Sequence, residues 1–226
     1  MPARHSLPLT VLLAILGFCG PLCGGPVRFL PLNEEIAALK IGIRDGKVLT
    51  KIKDLSAQKR TKVYSCSTGK KPITLELPNV ERPDQKPATL AITFPPGIQS
   101  PLVLILADPE APSGLRTITI EDSNTGFSWG SLRFFNTTDI SLLLHCDQEV
   151  KLIPGSQTPL DITPGGVARN MGVQLFKEND PKTPVYSAVW SHEPKVRKLI
   201  LIVPGPDPQA QTLVLKIIPE EQPTKK

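Results

Sequence analysis

Apolar residues in this chain come in short runs, and turn-forming residues close nearly every one. Ile73 to Leu77, Thr89 to Phe94, Leu102 to Leu106, Thr117 to Ile120, Leu199 to Val203 and Thr212 to Ile218 are such runs. Most are rich in Val, Ile and Thr, whose branched side chains suit a pleated strand. Polar and apolar residues alternate in Ile73-Thr74-Leu75-Glu76-Leu77, Thr117 to Ile120 and Glu149-Val150-Lys151-Leu152. That alternation marks strands with one buried face. Leu102-Val103-Leu104-Ile105-Leu106 is apolar throughout and predicts a strand buried on both faces. The chain holds 25 prolines, clustered between runs at Pro95-Pro96, Pro109, Pro112, Pro204, Pro206 and Pro208. Proline offers no N–H to a strand ladder, so these sites mark turns and strand edges. Asp45-Gly46 predicts a tight hairpin turn. Only Glu34 to Lys40 reads as helix, and it is short. The pattern predicts an all-β chain built as an immunoglobulin-like β-sandwich.

A faint repeat runs through the sequence. Val27-Arg28-Phe29-Leu30 resembles Leu132-Arg133-Phe134-Phe135. Later in each half, a strand, a Pro/acid turn and a second strand follow one another. The turns are Asp108-Pro109-Glu110 and Pro206-Asp207-Pro208. This predicts two tandem β-domains of about 95 residues each, an ordinary domain size. They span 25–121 and 130–220, with Glu121 to Ser128 as linker and 221–226 as a disordered tail. One long sandwich is the alternative.

Residues 1–24 have the order of a secretory signal peptide: a mildly basic start, an apolar run from Leu7 to Phe18, then Gly20, Cys23 and Gly24. The run is shorter than the roughly 18 apolar residues of a membrane span. The mature chain is therefore expected to be periplasmic or secreted, with no transmembrane span. Phe18 precedes Cys19 and Leu22 precedes Cys23, where a lipoprotein signal would place a small residue, so simple export is preferred to lipid anchoring.

The formal charge is +5. The basic residues are scattered or paired, as at Lys59-Arg60, Lys70-Lys71 and Arg197-Lys198, and read as solvated surface. Nucleic acid is not expected as a partner. Cys66 and Cys146 remain after signal removal. They form either a disulfide, suited to an oxidising compartment, or two buried free thiols on separate strands. A bridge would close a loop of about 80 residues and contribute roughly 4 kcal/mol.

Several motifs imitate active chemistry. Gly126-Phe127-Ser128-Trp129-Gly130 matches the pattern around a hydrolase nucleophile, with Asp161 and His192 following in order. That motif needs a helix after the serine, whereas Leu132 to Phe135 reads as a strand, so Ser128 is expected to be a turn serine. His145-Cys146 pairs two copper-type ligands. Adjacent strand residues point to opposite faces, which predicts one buried Cys and one exposed His. Asp122, Asn124 and Gly126 imitate part of a calcium loop, but the glycine comes one place early and no glutamate closes the loop, so a polar turn is expected. Asp108, Glu110 and Asp207 are acids at turn tips. Asn136-Thr137-Thr138 is a glycosylation sequon, and Asn136 is expected to end a strand. Tyr186, Ala188 and Trp190 are expected to share one face of a strand, opposite Val185, Ser187 and Val189. No catalytic, cofactor-binding or metal residue is assigned.

Gly130 to Asn136, Val150 to Gly155, Val185 to Trp190 and Lys198 to Leu201 together resemble a group of uncharacterised exported bacterial β-rich proteins. The resemblance covers roughly residues 130–218. It implies an envelope or secreted location and brings no activity. The expected function is an exported, non-enzymatic binding or structural component of the cell envelope, meeting an envelope protein through an edge strand or exposed loops. The alternatives are an extracytoplasmic serine hydrolase using Ser128 and a metal-binding sandwich using His145 and Cys146.

Overall fold

The computed structural model describes residues 25–66, 73–81, 86–205 and 212–224. The expected signal peptide lies outside the described residues. The first half contains β1 (Pro26–Pro31), α1 (Glu34–Ala37), β2 (Gly42–Asp45), β3 (Val48–Lys51), β4 (Tyr64–Ser65), β5 (Thr74–Glu81), β6 (Pro87–Ala91), β7 (Pro101–Ala107) and β8 (Leu115–Glu121). The second contains β9 (Leu132–Asn136), β10 (Leu142–Cys146), β11 (Glu149–Ile153), β12 (Leu160–Ile162), β13 (Arg169–Lys177), β14 (Asp180–His192), β15 (Val196–Pro204) and β16 (Leu213–Glu221). The described residues are all-β apart from α1.

The strands form four sheets. Their orders are β4-β1-β7-β8 and β3-β2-β5-β6 in the first half, and β12-β9-β15-β16 and β11-β10-β13-β14 in the second. Adding eight to each strand number in the first pair generates the second pair. Even the exception recurs: β1 runs parallel to β7, and β9 runs parallel to β15, among otherwise antiparallel neighbours. The likeness of Val27–Leu30 to Leu132–Phe135 is thus a likeness between strands at matching places in matching sheets.

Three apolar clusters hold the sheets. One gathers Val27, Phe29, Ile43, Leu75, Val103 and Ile105 in the first half. Another gathers Phe134, Leu142, Leu144, Val173, Ile200 and Ile202 in the second. The third joins the halves through Leu30, Leu102, Leu104, Leu106, Phe127, Phe135, Leu199 and Leu201. Side chains alternate across a strand, so β7 sends Val103 and Ile105 into the first core and its leucines into the third. This is the physical reason for the unbroken apolar run from Leu102 to Leu106: both of its faces are core. β15 does the same, with Ile200 and Ile202 on one face and Leu199 and Leu201 on the other. Each such side chain contributes roughly 1.5–3 kcal/mol relative to exposure.

Local details follow from side-chain chemistry. The expected hairpin between β2 and β3 is present, but its two-residue loop is Gly46-Lys47, because Asp45 already pairs with Val48. Gly46 has a φ of +59°, which glycine adopts without steric cost. The helix is shorter than Glu34 to Lys40. The Asn33 side chain caps it by accepting from the Ile36 N–H at 2.8 Å, and it ends after Ala37. Glu121 to Ser128, expected as a linker, begins as the last residue of β8 and then sends Phe127 into the third core. At the C-terminus, β16 runs to Glu221, and Gln222 N–H donates to the Lys195 carbonyl at 2.8 Å.

Candidate binding site

The candidate site is an exposed strand edge in the second half, and a charged joint lies between the halves. The joint centres on Asp122, the residue that follows β8. Its carboxylate accepts from Arg60 Nε at 2.9 Å and Arg60 Nη2 at 3.1 Å, and from Arg28 Nη2. Glu220 on β16 accepts from Arg197 Nη2 at 2.6 Å, Arg197 Nε at 2.8 Å and Arg28 Nη1 at 2.5 Å. Arg28 belongs to β1, Arg60 to the approach to β4, and Arg197 to β15, so the cluster draws on both halves. Three guanidinium groups share two carboxylates. Burial pushes the Glu220 carboxyl up, but Arg60, Arg28 and Arg197 together bring it below the ordinary carboxylate value.

Arginines also grip the connecting segment. Arg197 Nη1 donates to the Phe127 carbonyl at 2.8 Å, and its guanidinium lies 4.9 Å over the Phe127 ring and 4.7 Å over the Trp129 ring. Arg133, at the β9 position matching Arg28 on β1, covers Phe127 at 4.6 Å. It donates to the Glu121 and Gly126 carbonyls and forms a forked pair with Asp161, at 2.7 Å from Nε and 2.6 Å from Nη2. Reading the basic residues as solvated surface therefore fails for Arg60, Arg133 and Arg197, all of which are buried. Their opposite charges lie far away in sequence, so nothing local betrays them.

The edge is β14, thirteen residues long and last in its sheet. Among the described residues it ladders with β13 alone. Pro181 and Pro184 blunt its start, whereas Val185 to His192 contains no proline. Along that stretch Val185 is 39% exposed and Val189 is 70% exposed. Tyr186 and Trp190 turn the other way, as expected. Trp190 Nε1 donates to Tyr186 Oη at 2.9 Å, and its ring stacks on Phe134 at 6.0 Å. The buried Trp190 and the half-buried Tyr186 anchor the strand that presents the valines. Across the sheet, β11 adds Val150 and Leu152, both exposed.

The motifs with catalytic precedent find structural partners. Ser128 Oγ bonds Ser131 Oγ at 2.8 Å, and Ser131 Oγ bonds Thr163 Oγ1 at 3.1 Å. Gly130 has a φ of +78°, and an added Cβ would come within 3.1 Å of the Pro194 carbonyl oxygen, so the turn into β9 demands glycine there. A strand follows, not a helix. Asp161 is engaged by Arg133, and His192 is buried with no hydrogen-bond partner on Nε2 among the described residues. Burial, then the charges of Arg169 and Lys198, hold the His192 ring below its ordinary value.

Cys146 and His145 point to opposite faces. Cys146 sits in the second core, while the half-buried His145 ring lies 4.8 Å from the Phe176 ring. Cys66 sits in the first core, and both cysteines are free. Asp122, expected in a polar turn, is the carboxylate at the centre of the joint. Asp108 accepts from the Glu110 N–H at 3.2 Å within its turn, and Asp207 lies outside the described residues. Asn136 ends β9 and is fully buried. It donates to the Ile140 carbonyl at 2.8 Å and accepts from Thr138 N–H and Oγ1. At 0% exposure, its amide is out of reach of a glycan in the folded chain. Among the described residues there is no group of three or more metal-ligating side chains, and no helix is long and apolar enough to cross a membrane.

Compared with known proteins, the chain matches no family model and no curated protein.

Proposed function

We propose that this chain is an exported, non-enzymatic component of the cell envelope, built as two tandem immunoglobulin-like sandwiches, that captures an extended segment of an envelope protein along β14. The observation that carries the reading is the proline-free edge from Val185 to His192 with its two exposed valines. An edge strand offers unpaired N–H and C=O groups to an incoming strand, and exposed side chains on alternate residues add selectivity. Native proteins usually blunt such edges with charge or proline. Here only the start of β14 carries prolines. Lys198 Nζ donates to the Ser191 carbonyl near the far end, which leaves the middle of the strand as the docking length.

The tandem reading rests on the repeated strand order and the separate apolar core in each half. The exported, periplasmic or secreted location rests on the order of residues in the first 24 positions. The joint of Arg28, Arg60, Asp122, Arg197 and Glu220 ties the two halves together by ion pairs.

The test is capture from a native envelope fraction with the tagged chain, run beside Val189→Lys. One stoichiometric envelope protein, retained by the parent and lost by the variant, is the expected result. Capture that survives Val189→Lys, or no captured protein, overturns the edge-strand reading.

A further inference from the structure

A cavity of about 570 Å³ opens beside α1 in the first half, within the roughly 300–1,000 Å³ common for small-molecule sites. Leu39, Ile41, Leu49, Ile52 and Leu55 supply its apolar wall. Gly42 lets Leu49 pack flat into that wall: a Cβ there would lie 2.6 Å from Leu49 Cδ1. Three lysines, Lys40, Lys51 and Lys53, also line the cavity, and all three are exposed. None of their ammonium groups has an ion-pair partner among the described residues. The adjacent acid, Asp54, is occupied elsewhere: it accepts from Tyr64 Oη and the Lys62 N–H, both at 2.6 Å.

An apolar wall beneath unpaired ammonium groups matches one ligand chemistry: a linear alkyl chain ending in an anion. We propose that this cavity binds a fatty-acid anion, with the chain against the leucines and isoleucines and the carboxylate among Lys40, Lys51 and Lys53. The alkyl chain would lose apolar surface to the wall, and the carboxylate would find charge that has no ion-pair partner among the described residues. An added peptide strand fits less well, because the neighbouring edge strand β3 is only four residues long and templates little pairing. This inference does not depend on the role given to β14.

The test is calorimetric titration of the full chain with laurate, below its micelle concentration, and with dodecanol as the uncharged match. Saturable binding of one laurate is expected, with dodecanol at least about tenfold weaker and laurate weakened by added salt. The triple variant Lys40→Gln, Lys51→Gln, Lys53→Gln, altered only at exposed positions, should bring laurate down to the level of dodecanol. Leu55→Ser should weaken both ligands. The proposal is overturned if laurate does not saturate, if laurate and dodecanol bind alike, or if the triple variant binds laurate unchanged. It is equally overturned if an acidic, leucine-rich peptide binds the cavity and laurate does not.

Discussion

Arg60 and Asp122, 62 residues apart in sequence, meet through two hydrogen bonds in the buried joint of the molecule, one of 2.9 Å and one of 3.1 Å. The pair is not isolated. Arg28 and Arg197 crowd the same carboxylate, and Arg60 Nη1 stays buried with no hydrogen-bond partner among the described residues. Positive charge is in excess there, so Asp122 is the residue the joint can least spare.

Asp122→Asn removes one carboxylate and leaves three guanidinium groups facing Glu220 alone. Breaking a buried ion pair from one side costs about 3–5 kcal/mol. A loss of that size is expected in urea unfolding. The contrast is Arg44→Ala, which breaks the more exposed pair with Glu76, 2.6 Å apart, and should cost about 1 kcal/mol or less. Equal losses in the two variants would contradict the ranking.

Asn136→Ala removes a buried amide that satisfies the Ile140 carbonyl and both the N–H and hydroxyl of Thr138. Groups left buried without partners cost about 1–3 kcal/mol. The same urea measurement should show a lower midpoint with an unchanged slope.

Acid should destabilise the chain in two stages. His192 is held below its ordinary value, so the unfolded chain takes up that proton first as the pH drops through about 6.5. Its contribution is complete above that pH and declines below it. Burial pushes Glu121 up, but the N–H groups of Gln99, Ser123 and Ser100 and the Ser123 hydroxyl bring it below the ordinary value. Glu220 is likewise depressed. Their contributions are complete above about pH 4.3 and are lost as the pH falls through their lower folded values. Urea midpoints measured across pH should therefore fall in both windows, and His192→Gln should flatten the upper one. A midpoint that rises on acidification would contradict these assignments.

Burial pushes the Cys66 and Cys146 thiols up to about 11 in each case. A thiol reacts as its thiolate. Peptide mapping after iodoacetamide treatment at pH 8 should find both residues unlabelled in the folded chain and both labelled in urea. A Cys66–Cys146 bridged peptide would contradict the separate cores.

What could be read from the sequence was local. Alternation exposed β5, β8 and β11, and the unbroken run from Leu102 to Leu106 announced a strand with two buried faces. The hairpin was legible to within one residue, since Asp45 joined the ladder and left the loop to Gly46-Lys47. The repeat was legible in Arg28 and Arg133, but not their task. Arg28 meets Glu220 across 192 positions, and no spacing rule spans that distance. Asp122 stood among turn-forming residues and looked like one of them, because its burial depends on sheets from both halves. The open edge of β14 was equally hidden. Pro181 and Pro184 stand at its start, but strand order, which sequence pattern does not encode, decides that the proline-free half lies at an edge too.

The most direct test of the edge-strand account is photo-crosslinking in the intact envelope, with a photoreactive side chain at position 189. Position 167, where valine is 77% exposed in a loop, is the control. The account predicts one dominant protein adduct from position 189 and none of that mass from position 167. No adduct at 189, or the same adducts at both positions, would contradict it.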